Sequence, residues 1–438
     1  MTKGYHKKMP LEQGAAREKD WTLPATFVLQ VQDLLTVMKE GLLAVGAMAA
    51  LHIAEQIMEA EVEEKCGPKG RHRPDRTATR YGRQPGYVVL GGRKAKVSRP
   101  RVRTKDGREV ELESYRELQD RKILSQAALE RMLYGLASRH YQAGGEPIGA
   151  GIKTYSTSKS TVSRRFVKAT EEELKSFLRR PLGDLKLLVV FIDAIFLGGH
   201  AVLIALGVDG GGQKHVLGLW EGAAENAEAC SALLKDLVGR GMDAREGLLF
   251  VMDGSKALTK AVRETFGELA LVQRCQKHKM ENVVKHLPER EQQWLKGRLK
   301  RAWAVNDAQK AKAELEVLIK ELEMKSPGAA ASLREGLEET LTVQKLGLPA
   351  LLRRSLRTTN AIESLNGQIR DTVRRVRNTR NGDQALRWAT IGAQKAEGRF
   401  HKIPGYRDLP ILAEAIAAYV QRVKETQGIQ AATRSQAV

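Results

Sequence analysis

The chain has 438 residues, and its 73 lysines and arginines against 52 aspartates and glutamates give a formal net charge of +21. Hydrophobic residues make up 42% and charged residues 29%, which excludes a wholly disordered or acidic solvating protein. At roughly 150 residues per domain, the length predicts about three domains. The positive charge favours a polyanionic partner, although charge alone does not separate DNA from RNA or anionic lipid.

Cysteine content and hydropathy predict the compartment. Three cysteines cannot form a disulfide framework, which indicates a reducing environment. The first twenty residues are polar and charged, unlike a secretory signal. The longest uncharged apolar stretch, residues 41–54, is shorter than the roughly 20 residues of a membrane span. We therefore expect a cytoplasmic, nucleoid-associated protein with no membrane partner.

Residues 1–115 are predicted to form an N-terminal region of helices, for packing or dimerisation, followed by a basic β-ribbon. Fifteen basic residues and two acids lie between Lys65 and Arg108. Within this span Gly91-Gly92 separates two strand-like segments, and glycines supply the positive φ angles of a tight hairpin. The β alternation puts Lys94 and Lys96 on one face, so we predict phosphate contacts there and at Arg99 and Arg101. A solvated run of charge is the alternative.

Residues 116–180 are predicted to be a helical DNA-binding region. Ser158 has the residue type of an N-cap, and the helix after it carries basic residues one turn apart. This helix is a candidate second helix of a helix-turn-helix, with DNA contacts at Arg164, Arg165 and Lys168. A plain amphipathic helix is equally compatible with the pattern.

Residues 181–290 are predicted to form strands and helices in the order β-β-β-α-β-α-β. Asp193 is predicted to close the first of these strands and Asp253 the fourth. If those strands are neighbours, two carboxylates meet at one sheet edge and repel each other unless a cation lies between them. Oxygen ligands of this kind suit Mg²⁺. For each aspartate alone, a turn-forming role at a strand end is the alternative.

Glu363 is the candidate third acid, and a third carboxylate would complete a two-metal site for phosphoryl transfer. Its distance in sequence from Asp253 is too long for one strand and one loop, so a helical insertion is predicted at residues 291–350. The alternative for Glu363 is a capping box, because Asn360 lies three residues before it.

Five motifs follow one another between residues 191 and 366, after the N-terminal segment Glu64-Lys-Cys66-Gly-Pro. They are Phe191-Ile-Asp193-Ala, Val216-Leu-Gly-Leu-Trp220-Glu-Gly with Glu225-Asn226, Val251-Met-Asp253-Gly, Gln273-Arg-Cys275-Gln-Lys-His278 and Thr358-Thr-Asn-Ala-Ile-Glu363-Ser-Leu-Asn366. In this order they resemble the Mutator-type family of bacterial insertion-sequence transposases. The resemblance covers most of residues 55–400, and the last motif is the most specific.

The resemblance implies an α/β fold with an RNase H-like catalytic core, a mixed five-stranded sheet with helices, carrying an all-helical insertion. It implies a DDE triad of Asp193, Asp253 and Glu363 holding two Mg²⁺ ions, with Mn²⁺ able to substitute. The expected activity is DNA transposition by strand cleavage and strand transfer. The expected partners are double-stranded DNA, terminal inverted repeats and target DNA, bound by a homodimer or higher oligomer. Two alternatives remain: a non-catalytic DNA-binding regulator, and a nuclease acting on RNA or branched DNA.

Further residues are predicted to contact DNA. Cys275 and His278 have the Cys-x-x-His spacing of one half of a zinc site, but no clear second pair of ligands follows. We favour a structural or DNA-positioning role for them. Trp294 and Trp303 are candidates for base stacking, with core packing as the alternative. The catalytic core is expected to resume at 351–410, followed by a C-terminal helix and tail at 411–438. In the resumed core, the predicted DNA contacts are Asn360, Arg370, Arg374 and Arg377.

Overall fold

The structure is a computed structural model that describes residues 41–71, 74–133, 151–222, 227–374, 376 and 379–436. The chain divides into two compact units, Met1–Ala169 and Thr170–Val438. The boundary lies inside the segment 116–180 that was predicted as one helical region. The other predicted domain boundaries stay predictions.

The described part of the first unit combines helices with a three-stranded antiparallel sheet of order β1-β2-β3. Its elements, in chain order, are α1 (Leu42–Cys66), β1 (Ala78–Leu90), β2 (Arg93–Thr104), β3 (Glu109–Val110), α2 (Glu113–Glu117), α3 (Arg121–Leu133) and the start of α4 (Lys159–Leu178).

The predicted hairpin is confirmed. β1 pairs antiparallel with β2 from Leu90↔Arg93 outward, and Gly91 and Gly92 have φ angles of 54° and 69°. Two consecutive positive φ angles are what a two-residue hairpin turn requires. Along β2 the residues alternate as expected, with Ala95 buried and Lys96 exposed.

Helix α1 packs against this sheet through a shared apolar core that includes Met58, Val88 and Val102. A buried acid also ties α1 to α2. The Glu61 carboxylate accepts bonds from the backbone N–H groups of Glu113 and Ser114, each at 2.9 Å. These N–H groups belong to the first turn of a helix, where the backbone cannot satisfy them.

Helix α4 begins after Ser158, as predicted, and Ser158 Oγ accepts from the backbone N–H of Thr161 at 3.3 Å. Residues 134–150, which would contain the turn and part of a first helix, lie outside the described residues. The helix-turn-helix therefore stays a prediction.

The second unit has a mixed α/β core built on a five-stranded sheet of order β6-β5-β4-β7-β8. β4 pairs antiparallel with β5, and β5 with β6, whereas β4, β7 and β8 run parallel. The predicted order β-β-β-α-β-α-β is confirmed. The elements are β4 (Leu187–Leu197), β5 (His200–Asp209), β6 (Lys214–Gly222), α5 (Ala227–Gly239), β7 (Leu248–Met252), α6 (Lys256–Phe266) and β8 (Ala270–Arg274).

Both faces of the sheet are covered. Val190 and Phe250 face one core, shared with α5 and α6. Phe191 and Val251 face the other core, shared with later helices of the chain. Successive strand residues point to opposite faces, so this alternation explains the nearly continuous apolar runs of β4 and β7.

A group of helices with its own apolar core lies between β8 and the helix that carries Glu363. The predicted all-helical insertion is thus present. Its helices and those around it are α7 (Gln276–Val284), α8 (Glu289–Ala304), α9 (Ala308–Lys325), α10 (Pro327–Arg334), α11 (Thr342–Lys345) and α12 (Ala350–Leu356).

Three long helices complete the described second unit and cover the face of the sheet that carries Phe191. They are α13 (Asn360–Val373), α14 (Gly382–Glu397) and α15 (Leu409–Gln436). Within the described residues, every helix is too short or too polar to cross a membrane.

Candidate active site

Asp193 and Asp253 lie at the same level of two neighbouring parallel strands. β4 pairs with β7 at Val189↔Leu249 and at Phe191↔Val251, and each aspartate follows two residues after the second pair. One detail of the prediction is wrong. Asp193 does not close its strand, because β4 continues to Leu197 through its hairpin with β5. The parallel pairing nevertheless stops just before Asp193, so both carboxylates lie where the two strands separate.

Asp253 directly follows the last residue of β7. Its Oδ1 accepts from the backbone N–H of Ser255 at 2.9 Å, which fixes the carboxylate at the start of α6. The next residue, Gly254, has a φ of 100°, and a Cβ there would overlap the side chain of Arg274. Glycine is therefore required at this turn for its conformation and for its size.

Glu363 lies in the first turn of α13, which packs against β4. Its Oε2 accepts from Lys277 Nζ at 2.7 Å, and its Oε1 accepts from Thr359 Oγ1 at 2.9 Å. The capping-box alternative is wrong, because Thr359 is the N-cap, Asn360 is already helical, and the carboxylate binds two side chains instead.

Asn366 connects this helix directly to β4. It lies one turn after Glu363, and its Nδ2 donates to Asp193 Oδ2 at 2.8 Å. Residues three apart lie on the same face of a helix, so this bond also brings the Glu363 turn towards Asp193. Asn366 is part of the quoted motif, but its spacing gave no reason to assign it this contact.

Cys275 and His278 lie beside Glu363 and interact with each other. Cys275 is fully buried at the N-terminus of α7, and its sulfur lies 3.4 Å from Thr359 Oγ1. His278 Nε2 is 3.8 Å from Glu363 Oε1. The hydrogen bond with Cys275 raises the pKa of His278 to about 9, and the carboxylates of Glu363 and Asp253 act in the same direction.

The thiol and the acid both titrate below their usual ranges. Burial raises the pKa of the Cys275 thiol, but its hydrogen bonds with His278 and Thr359 outweigh burial, so the net pKa is lowered. Burial likewise raises the pKa of Glu363, and its bonds from Lys277 and Thr359 reverse the effect. Glu363 is therefore an ionised carboxylate near neutral pH.

Ligand-type atoms cluster around Glu363. Among the described residues, one Cys, His and Glu set has its ligand atoms all within 4.8 Å of one another: Cys275, His278 and Glu363. Asp193 and Asp253 are not members of that set. Asp193 is linked to the Glu363 helix by its hydrogen bond from Asn366. The Asp253 carboxylate interacts electrostatically with His278, which lies beside Glu363.

The two tryptophans predicted to stack on bases differ in exposure. Trp303 is buried in the core of the insertion, and its Nε1 donates to Thr340 Oγ1 at 3.2 Å. That position corresponds to the core-packing alternative. Trp294 is half-buried, and Lys325 Nζ lies 4.4 Å from its ring centroid.

A comparison with protein families identifies the chain. The family described as "Transposase, Mutator family" matches residues 28–400. The chain belongs to this family. The resemblance found in the five motifs is thus confirmed over most of the sequence.

Curated relatives in the Mutator family are named as insertion-sequence transposases. The chain is 28% identical over 366 residues to the transposase for insertion sequence element ISRM5 of Rhizobium meliloti (strain 1021), covering 82% of this chain and 88% of that protein. It is 30% identical over 283 residues to the transposase for element IS6120 of Mycolicibacterium smegmatis, covering 62% and 84%. With the transposase for element IS1081 of Mycobacterium tuberculosis the identity is 27% over 373 residues, covering 83% and 87%.

One side of the QRCQKH motif of this Mutator-family chain binds the helical insertion. Gln273 Nε2 and Gln276 Nε2 both donate to the carbonyl of Thr340, at 3.1 and 2.8 Å. The fully buried ammonium of Lys279 donates to the carbonyls of Ser332 and Glu335. We call residues 273–279 the joint segment, since Cys275, Lys277 and His278 instead reach the Glu363 helix.

The cations of the β-ribbon lie over tyrosine rings. Lys94 Nζ is 3.9 Å from the centroid of Tyr87, and Lys96 Nζ is 4.9 Å from that of Tyr155. Arg101 bonds Glu109 at 2.6 Å, and Arg99 lies 3.5 Å from the same acid. Among the described ion pairs, neither lysine has an acidic partner. The positive charges of Lys94 and Lys96 are therefore less neutralised than those of Arg99 and Arg101.

The predicted contacts on α4 and α13 are mostly exposed. Arg164 and Lys168 are exposed and Arg165 is half-buried. On the other helix, Asn360 and Arg370 are exposed, and α13 ends at Val373 just before the exposed Arg374. Arg377 lies outside the described residues, so the predicted three-arginine stripe is described only in part.

Proposed function

We propose that this chain is a DNA transposase that binds the terminal inverted repeats of an insertion sequence and catalyses metal-dependent strand cleavage and strand transfer. Asp193, Asp253 and Glu363 are the proposed metal-binding acids. One observation carries the proposal: two aspartates lie level on adjacent parallel strands, and Asn366 bonds one of them from the helix turn that follows Glu363.

The sheet order supports an RNase H-like core for this unit. Two strands, β5 and β6, continue the sheet antiparallel on one side of β4, and two strands parallel to β4, β7 and β8, continue it on the other. The three acids come from β4, from the end of β7, and from a helix that packs on β4 after an all-helical insertion. This arrangement corresponds to the DDE organisation that the family resemblance implies.

The donor set fits magnesium or manganese. All three side chains are carboxylates, which are the hard oxygen ligands that Mg²⁺ prefers. Glu363 already attracts a cationic group, the Lys277 ammonium, and its pKa is lowered. Two bound Mg²⁺ ions would supply stabilisation of the attacking and leaving oxygens of phosphoryl transfer.

The chain's own residues would hold and orient the acids. The Ser255 N–H fixes Asp253, the Asn366 amide fixes Asp193, and the Thr359 hydroxyl fixes Glu363. Cleavage by water and transfer of a 3′-hydroxyl are both phosphoryl transfers, so a single site serves both steps. Acting on two element ends favours a homodimer or higher oligomer on DNA.

The exposed basic residues are the proposed DNA contacts. Lys94 and Lys96 on the β-ribbon, and Arg164 and Lys168 on α4, would bind backbone phosphates, which position a protein on DNA without reading its sequence. Arg370, exposed on the helix that carries Glu363, is a further proposed phosphate contact.

The experiment compares the wild type with Asp193→Asn, Asp253→Asn and Glu363→Gln on labelled terminal repeats in Mg²⁺. We expect each variant to bind DNA and to fail in cleavage and strand transfer. The matched control is Asp243→Asn, because Asp243 pairs with exposed Arg245 on the surface. Cleavage at the wild-type rate by any triad variant removes that residue from the site. Wild-type protein that binds the repeats without cleaving them favours the non-catalytic regulator.

A further inference from the structure

Asn366 is a buried polar side chain with one satisfied and one unsatisfied end. Its relative exposure is 1%. Nδ2 donates to Asp193 Oδ2, whereas Oδ1 is buried and has no hydrogen-bond partner among the described residues. A buried acceptor without a partner costs about 1–3 kcal/mol, so native proteins seldom keep one without a use for it.

The chemistry of Asp193 fixes which way the carboxamide faces. An ionised carboxylate only accepts hydrogen bonds, so the NH₂ group of Asn366 must be the end that faces Asp193. Oδ1 is then the unpaired acceptor of the same planar group, bonded to the same carbon as the NH₂ group that faces Asp193. An amide flip does not remove the unpaired atom, because it would put an oxygen against the carboxylate.

A second described carboxamide provides a comparison. Gln344 is also buried and its Oε1 is also unpaired, but its Nε2 donates to the backbone carbonyl of Trp303. Gln344 therefore lies against a neutral group in the insertion. Only the Asn366 carboxamide, of these two, is anchored on a proposed metal-binding acid.

We infer that Asn366 is a fourth oxygen donor of the active site, and that its Oδ1 contacts the hydrated divalent cation held at Asp193. A carboxamide oxygen is a hard, neutral ligand of the kind that Mg²⁺ and Mn²⁺ accept. Through Nδ2 the same side chain orients the Asp193 carboxylate, as outer partners of metal ligands do. This inference rests on the proposed function.

The test measures Mn²⁺ binding to the full chain without DNA, by electron paramagnetic resonance of free Mn²⁺. Asn366→Leu removes both ends of the amide at similar size, and Asn366→Ser removes the amide without adding a charge beside Asp193. Gln344→Leu is the matched control. We expect Asn366→Leu to weaken Mn²⁺ binding about 10–100-fold, and Gln344→Leu to bind as the wild type does.

Thermal unfolding of Asn366→Ser gives a second measurement. A ligand that binds only the folded protein raises the melting temperature more the tighter it binds, so we expect a smaller Mn²⁺-dependent rise in Asn366→Ser than in the wild type. A purely structural role predicts the same Mn²⁺-dependent rise in both proteins. This measurement decides the matter if Asn366→Leu does not fold.

The outcomes separate this inference from the proposed function. Mn²⁺ affinity that is lost in Asp193→Asn but unchanged in Asn366→Leu overturns the role of Asn366 and leaves the metal site in place. Mn²⁺ affinity that is absent in the wild type, or unchanged in Asp193→Asn, overturns both.

Discussion

Lys277 competes with any cation that binds Glu363. Its Nζ is 2.7 Å from Glu363 Oε2, and its side chain is 43% exposed. A metal ion that takes this carboxylate as a ligand must displace the ammonium. Lys277→Met keeps the length of the side chain and removes its charge, so we predict tighter Mn²⁺ binding in the variant.

The expected gain in Mn²⁺ affinity follows from the distance between the Lys277 and Glu363 charges. Two unit charges at this separation attract by about 1.5 kcal/mol at the dielectric constant of water. The exposure of Lys277 allows solvent and salt to screen the pair, which leaves about 1 kcal/mol. The Mn²⁺ dissociation constant of Lys277→Met should therefore fall about 5-fold at low salt, and the difference should shrink at high salt.

The assay is a Mn²⁺ titration of both proteins at low and high ionic strength. Lys320→Met is the control, because Lys320 is an exposed lysine on α9 of the insertion. Removing the ammonium also raises the pKa of Glu363 towards its usual value, so metal binding should be lost at a higher pH in the variant as pH falls. Unchanged or weaker Mn²⁺ binding in Lys277→Met would refute the competition.

Three further predictions concern stability and DNA affinity. Glu61→Ala removes the acceptor for two N–H groups at the start of α2 and should lower the free energy of unfolding in urea by about 3 kcal/mol, whereas exposed Glu63→Ala should change it little. Burial lowers the pKa of Lys279 to about 8, below its unfolded value, so the unfolded chain binds more protons and wild-type stability should rise from pH 8 to 10.5. Lys279→Met should lack that rise, and an equal rise in both proteins would contradict the buried charge. Lys96→Gln should reduce the salt dependence of DNA affinity by about one counterion, and Lys122→Gln, on α3, should leave the slope unchanged.

The elements that sequence predicted well are those with a short-range signal. Gly91-Gly92 between alternating strands predicted the hairpin, and the apolar runs of β4 and β7 predicted two buried strands, although not that they are neighbours. The insertion followed from the length of chain before Glu363. Each of these depends on residue periodicity or on spacing, which the chain carries locally.

The site contacts could not be derived in that way. The bond between Asn366 and Asp193 joins residues 173 positions apart, and the bond between Lys277 and Glu363 joins residues 86 apart. No periodicity relates such segments. Strand continuation past Asp193 was missed for a different reason, because the acid was taken to end the apolar run, whereas apolar residues resume at 194–197 and pair antiparallel with β5.

The joint segment has a consequence for engineering the protein. Excising the helical insertion and closing the gap with a short linker would remove the backbone carbonyls that accept hydrogen bonds from Gln273, Gln276 and Lys279. The ammonium and the two amide groups, on β8 and α7, would then lose the hydrogen-bond partners that hold them in this structure. A chimaera that exchanges the insertion between relatives should therefore also exchange Gln273, Gln276 and Lys279, whose side chains donate hydrogen bonds to it.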